Sequence, residues 1–254
     1  MNSEVPNLKK LILKLFVAFI VLPSVVAGSM YWLNEHGFFN INQVEVLLVD
    51  SQGQVNFYSP MADRLEKQML QFKGQSLWHV KLSEVVATLD SQNWIETHTI
   101  SRSWPSVLQI KIKPHAVKLV YLGKNGKYMP IIADGSFLDS VDSKQAPDVT
   151  LLEGDVFANK KELRQKAVKV LKEIPAEGSF SKKTISEIRY DSKDGFSMTL
   201  MATGIQVKIG EEQVALKSAR VAQVVDYLQT RQFDARVIDA NLSKKVLVRL
   251  RNGP

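Results

Sequence analysis

From Leu15 to Leu33 the chain runs for 19 residues without a charged side chain, and no other feature restricts its fold as much. At about 1.5 Å per residue, a helix of that length covers roughly 28 Å, the thickness of a bilayer's hydrocarbon core. Inside such a layer each peptide group must find its partner within its own segment, so residues 15–33 read as one membrane-spanning helix. Lys9, Lys10 and Lys14 precede the run, while Glu35 and His36 follow it. This asymmetry places residues 1–14 in the cytoplasm as a short tail and everything beyond Leu33 outside. Tyr31 and Trp32 suit the aromatic belt at the outer interface. The rival reading is a cleavable signal peptide, because Val25-Val26-Ala27 before Gly28 has the small-residue pattern of a cleavage site. Against it, the apolar run continues through Met30, Tyr31 and Trp32, and we read a retained anchor.

Beyond the anchor the pattern changes to short alternating elements. Gln43 to Asp50 is rich in Val and Leu and predicts a strand. Ser59-Pro60 predicts a helix start, with Ser59 as N-cap and Met61, Leu65, Met69 and Phe72 at helical spacing before Gly74. A second helix is predicted over 82–89 with Ser83 as a cap, followed by strands over 94–102 and 107–113 joined at Ser103-Trp104-Pro105. In the last strand Leu108, Ile110 and Ile112 alternate with Gln109 and Lys111, the period of a half-buried surface strand. Pro105 then serves as turn punctuation, and Trp104 is expected to cap the edge of the core. The unit from 38 to 113 therefore predicts strand, helix, helix, strand, strand: a small sheet buried against two helices.

The stretch Asn93 to Val117, "NWIETHTISRSWPSVLQIKIKPHAV", resembles the most recognisable segment of the FtsQ/DivIB cell-division family, and Ser76 to Leu89 with the short tail and single anchor match the same layout. The resemblance implies that 38–113 is a POTRA domain, a polypeptide-transport-associated module just outside the membrane.

After Pro114 short strands alternate with explicit turn chemistry. Strands over 117–122 and 127–132 flank Asn125-Gly126, a hairpin signal, and Asp134-Gly135 supplies another turn. Asn159 to Ile174 predicts a helix capped by Asn159, with Leu163, Ala167, Val170, Leu171 and Ile174 on its apolar stripe. Strands over 184–191, 196–201 and 205–209 predict a meander. A long helix over 212–229 follows, with Glu211 and Glu212 placed to offset its dipole, and strands over 235–240 and 246–250 end the chain's pattern. Residues 114–254 thus predict a mostly antiparallel β domain with two helices, and the whole chain is α+β. This domain is similar to the β domain that follows POTRA in the same family. Arg236 to Leu250 stands where the family reads Val-Asp-Leu-Arg-Tyr, with Asn241 at the Arg position and Leu242 at the Tyr position.

The side chains present do not assemble a catalytic or metal-binding pattern. There is no cysteine, which removes disulfides, thiolate metal sites and cysteine nucleophiles. His36, His79, His98 and His115 are scattered without metal-ligand spacing, and no phosphate loop or nucleophile elbow occurs. The net charge of +7 is spread without a run of five basic residues, so no nucleic-acid surface is expected. We expect no enzyme, no catalytic or metal residues, no cofactor and no small-molecule substrate.

What remains is binding. A last strand exposes unpaired backbone groups unless something covers it, and a partner segment can add to such an edge. Lys244 and Lys245 at its entrance either guard it against aggregation or attract an acidic partner. The resemblance favours the second reading and implies FtsB-like and FtsL-like membrane proteins and other divisome components as partners. The residues assigned to that contact are Asn241, Leu242, Ser243, Lys244, Lys245, Val246, Leu247, Val248 and Arg249, with Arg189 carried over from an approximate match in "EIRYD". The expectation is a non-enzymatic scaffold of the bacterial inner membrane at the division septum, its bulk in the periplasm. A POTRA-bearing component of outer-membrane protein transport or assembly is the alternative, and it would require a barrel after Pro114 or a cleaved amino terminus.

Overall fold

The structure is a computed structural model and describes residues 13–242 and 245–251. It opens on helix α1, Leu13–Glu35, which is long and apolar enough to cross a membrane and has no side chain buried against the rest of the protein. The described residues divide into two compact units: one runs up to Val49 and then over Ser59–Lys113, the other over Asp50–Tyr58 and from Pro114 onward.

In the first unit, β1 (Gln43–Leu48), β2 (Ile95–Ser103) and β3 (Val107–Pro114) form a sheet in the order β1-β3-β2. Strand β1 runs parallel to β3, with Val44 opposite Leu108 and Val46 opposite Ile110. Leu108, Ile110 and Ile112 are fully buried, as their alternation predicts, each such side chain contributing about 1.5–3 kcal/mol of transfer free energy. The helices are α2 (Val55–Met69) and α3 (Leu82–Asp90).

Neither helix begins where its apparent cap suggests. Helix α2 starts at Val55 and carries Pro60 inside it, so Ser59 is not its N-cap. The earlier start is fixed by Gln54, whose amide donates to the Val117 carbonyl and accepts from the Val117 N–H, both at 3.0 Å. One turn on, the buried Tyr58 hydroxyl donates to the His115 carbonyl. Helix α3 has Lys81 at its N-cap position, with no capping side chain, and Ser83 lies inside. Sequence-local capping is worth about 1 kcal/mol, less than burying one aromatic side chain.

The second unit holds β4 (Leu119–Leu122), β5 (Tyr128–Ile131), β6 (Leu151–Glu153), β7 (Ile185–Asp191), β8 (Gly195–Leu200), β9 (Gln206–Lys208), β10 (Ala235–Asp239) and β11 (Leu247–Leu250). Its helices are the single turn α4 (Val156–Asn159), α5 (Lys161–Glu173) and α6 (Val214–Thr230). Among the described residues the strands make one open sheet, ordered β11-β10-β9-β8-β7-β6-β4-β5. One core joins the strands to α5 and α6, including Phe157, Leu163, Val170, Phe180, Ile188, Phe196, Val221 and Ile238.

The α+β architecture with two main helices is present, and the pairing is mostly antiparallel, with parallel pairs set among the antiparallel ones. The pairs β4–β5, β7–β8, β8–β9 and β10–β11 are antiparallel, while β4–β6, β6–β7 and β9–β10 are parallel. For β4–β6 the chain reverses twice, at β5 and again along 136–141, before it reaches β6; for β6–β7 and β9–β10 the cause is the helix between the strands. A strand that leaves through α5 or α6 and returns beside its predecessor must come back in the same direction. Helix α5 also begins after Asn159, which closes α4 instead of capping it. Arg164, one turn into α5, donates to the Phe157 and Ala158 carbonyls that this break leaves open.

Candidate functional site

The two ends of the eight-stranded sheet are finished differently. At one end β5 is paired on both sides. Leu138 N–H donates to the Pro130 carbonyl, Tyr128 and Val141 exchange two bonds of 2.9 and 2.8 Å, and Ile132 N–H donates to the Ser136 carbonyl. Residues 136–141 thus form a strap along the outer side of β5, and Pro130, which has no N–H, suits that position.

The strap is held at its turn. Asp134 accepts from the Ser136 N–H and hydroxyl and from Lys161 Nζ, at 2.9, 2.8 and 2.8 Å. Gln165 donates to the Asp134 carbonyl at 2.7 Å and Arg164 Nε to the Gly135 carbonyl at 2.7 Å. Gly135 has φ of +76°, and a Cβ there would stand 2.9 Å from the Lys161 carbonyl oxygen, so the close approach of turn to helix requires glycine.

The hydrogen bond from Lys161, with those from Ser136, holds the Asp134 carboxyl at about 2, below its ordinary 3.8. A depressed carboxyl stabilises the fold above its unfolded pKa, and that contribution disappears as pH falls through the folded value. Asp134→Asn is therefore expected to lower stability at neutral pH by less than about 1 kcal/mol, since the pair is half exposed and screened. Thermal unfolding of both proteins between pH 7 and pH 2 checks this: the difference shrinks below about pH 4 and vanishes near pH 2.

At the opposite end β11 has β10 on one side and, among the described residues, no strand on the other. Val248 faces Ile238 and Leu247 faces Asp239 in the register. Val246 and Val248 pack on the core of the unit. Leu247 and Leu250 are 50% and 43% exposed, and Lys245 and Arg249 are exposed. An antiparallel edge strand directs the N–H and C=O of alternate residues outward, so β11 offers a short row of backbone groups flanked by apolar side chains. Ser243 and Lys244 lie outside the described residues.

Of the remaining predicted contact residues, Leu242 is half-buried, while Asn241 and Arg189 are already engaged. Asn241 lies two residues past β10, with its amide donating to the Asp194 carbonyl at 3.1 Å and accepting from Lys217 Nζ at 3.1 Å. It packs on Gly210, whose φ is +73° and where a Cβ would stand 2.1 Å from Asn241 Oδ1. Arg189 lies on β7, four strands from β11 in the sheet order, roughly 19 Å away at about 4.8 Å per strand. Its guanidinium pairs with Glu153, Nε to Oε2 at 2.6 Å, and with Glu187 at 3.4 Å. Burial, then the neighbouring Glu153 carboxylate, raises the Glu187 carboxyl above its ordinary value. Arg189 is thus a cation already balanced by two carboxylates.

Two residues that organise this unit were not singled out from the sequence. Lys217 is 7% exposed and donates to the Ile209 carbonyl at 2.8 Å as well as to Asn241; burial pushes its ammonium below the ordinary lysine range. Its signal is position: it falls between Val214 and Val221 on the apolar stripe of α6. Arg164 is the other, and it too lies on the inner side of its helix. Glu211, expected to act on the helix dipole, instead pairs with Lys166 at 2.8 Å and accepts from the Tyr190 hydroxyl at 3.0 Å. Among the described residues no group of three His, Asp or Glu side chains is arranged to hold a metal ion.

The comparisons with known proteins bear on both units. Residues 61–115 match the model of the POTRA domain, FtsQ-type, and residues 120–241 match that of the cell division protein FtsQ/DivIB C-terminal region. A cell division protein FtsQ from Geobacter sp. (strain M21) is 29% identical over 187 residues, 69% of this chain and 66% of its own length. The FtsQ of Geotalea daltonii is 25% identical over 188 residues, 70% of this chain and 66% of its own. A DivIB from Solibacillus silvestris is 22% identical over 168 residues, 64% and 55% of the two chains. The matches to the first two span just under two thirds of the relatives' length. With two models of one family matching successive stretches, from POTRA module to terminal sheet, the chain belongs to the FtsQ/DivIB family of cell-division proteins.

Proposed function

We propose that this protein is a divisome scaffold that recruits a membrane partner by strand addition to β11. The observation that carries the reading is the difference between the two ends of the sheet: β5 is sealed by the strap 136–141, while β11 is paired on one side among the described residues. An FtsB-like chain, with an FtsL-like companion, supplies the added strand; main-chain hydrogen bonds give affinity, and Leu247 and Leu250 give side-chain contact. Lys245 and Arg249 favour an acidic segment. Residues 1–14 sit in the cytoplasm, α1 crosses the inner membrane, and both units work in the periplasm at the septum, by binding rather than by catalysis. The resemblance and the family membership support this role over outer-membrane transport, and the described residues after Pro114 form an open sheet rather than a barrel.

Photoreactive residues placed in living cells at Leu247 and Val248 on β11, and at Tyr128 on the strapped edge, test it. The FtsB-like chain is expected to be trapped from β11 and not from Tyr128. No trapping at β11, or equal trapping at both edges, overturns the proposal.

A further inference from the structure

The first unit exposes aromatic side chains that its core does not use. Phe38, Trp78 and Trp104 are each 49% exposed; Trp104 lies at the edge of the core against Phe39, with about half of its surface open. Single exposed apolar residues are ordinary, but contiguous ones mark a surface that meets something. These are contiguous. The Trp78 and Trp104 rings meet edge-on at 4.3 Å, and the buried Phe39 ring lies 5.3 Å from Trp104, 6.3 Å from Trp78 and 5.2 Å from Phe38.

Backbone hydrogen bonds tie this cluster to the end of α1. Phe38 N–H donates to the Leu33 carbonyl at 3.0 Å, Leu77 N–H to the Phe39 carbonyl at 2.8 Å, and Ile41 N–H to the Gln75 carbonyl at 2.9 Å. Arg102 Nε donates to the Leu77 carbonyl at 2.7 Å, fixing the strand that carries Trp104. Phe38 lies three residues past Glu35, so it stands at most about 10 Å from the helix end. The polar layer on each side of a bilayer is itself roughly 5–7 Å thick. With α1 across a bilayer, this short connection keeps the cluster within reach of the headgroup layer, where Trp is the preferred residue. Charge agrees: the contributing stretches 36–42, 73–81 and 101–106 contain no Asp or Glu and carry Lys73, Lys81 and Arg102. Of these, Lys81 is paired at 3.3 Å with Glu84 just beyond the stretch.

We propose that Phe38, Trp78 and Trp104 seat the first unit in the headgroup layer of the bilayer crossed by α1, against anionic phospholipid. The inference rests on reading α1 as membrane-spanning. It gives the first unit a fixed face toward the lipid, so that the opposite face is the one presented to other proteins.

The test uses the full chain in vesicles of phosphatidylethanolamine and phosphatidylglycerol whose acyl chains are brominated near the headgroup. Four chains each keep one tryptophan, Trp32, Trp78, Trp94 or Trp104, the others being changed to Phe. Emission from Trp32, Trp78 and Trp104 is expected to be quenched several-fold more than that of Trp94, which is 4% exposed in the unit's interior. Quenching of Trp32 alone overturns the seating while leaving the transmembrane reading in place, and assigns the patch to a protein partner. An unquenched Trp32 overturns both. Removing Trp94 strains the core, so a chain with only Trp78→Phe and Trp104→Phe is compared with its parent. Its total quenching is expected to drop, and unchanged quenching overturns the proposal.

Discussion

Replacing Arg164 with methionine is expected to lower the stability of the second unit by about 3–5 kcal/mol, the range for breaking a buried charged hydrogen-bond network. Arg164 is 6% exposed. Its guanidinium donates to the carbonyls of Gly135, Phe157 and Ala158 at 2.7, 2.6 and 3.1 Å and lies 3.9 Å from the centre of the Phe137 ring. Methionine keeps much of the length and apolar contact but leaves three carbonyls without a donor. Burial already pushes the Arg164 group below the ordinary arginine range, with Asp134 opposing that shift, so its charge is maintained by these contacts rather than by a direct carboxylate partner. Lysine is no substitute, because a single ammonium cannot span carbonyls on two sides of a planar fork. For a unit of this size the loss corresponds to a fall in Tm of roughly 10 °C. Thermal unfolding of the full chain in detergent checks it, and a fall equivalent to less than about 1 kcal/mol would show that the network is not needed. The same bonds hold the strap against β5, so the variant is also expected to expose that edge and to associate at concentrations where the parent stays dispersed.

Arg164 also shows where the sequence stops being readable. Apolar periodicity located nearly every strand and helix, because burial imposes the periods 2 and 3.6 directly on residue order. Leu108, Ile110 and Ile112 are the clearest example, alternating in sequence and buried together in the structure. Helix starts were less readable. Ser59-Pro60 and Asn159 have cap chemistry, yet α2 begins at Val55 and α5 at Lys161, since the deciding bonds from Gln54 and Arg164 reach residues distant in sequence or outside the helix. The places of the parallel pairs were equally hidden, because alternation marks the face a residue occupies and not the neighbour its strand takes. Three parallel pairs follow from where β6, β7 and β10 return to the sheet, a long-range property.

The candidate edge was legible for a simpler reason. A strand at the end of a predicted order has one neighbour unless something covers it, and β11 takes that place among the described residues. The sealing of β5 was not legible, because the strap 136–141 has no strand-like pattern. Nor did the sequence separate the residues assigned to the contact by their surroundings. Asn241 and Arg189 are polar and near recognisable motifs, but the first is engaged with Asp194 and Lys217 and the second with Glu153 and Glu187. The aromatic patch was invisible because Phe38, Trp78 and Trp104 meet only through the fold.

Proline substitution within β11 is expected to separate the strand's two edges. Consecutive residues of a strand direct their N–H groups to opposite sides, so of Val248→Pro and Arg249→Pro one removes a rung to β10 and the other removes only an outward donor. The inward variant lowers Tm and disorders the end of the sheet. The outward variant keeps the β10 pairing, with Ile238 still opposite position 248, and its unfolding temperature stays close to the parent's. It nevertheless denies a docking strand one bond and places a ring where that strand must approach. One lost bond costs about 1 kcal/mol and the ring excludes its neighbours, so capture of the FtsB-like chain should fall by about tenfold or more. Cells carrying only this variant are then expected to filament, although the protein reaches its normal level and remains folded. If both variants retain capture at the parent's level, no partner strand lies along β11, and recruitment must be sought on another surface.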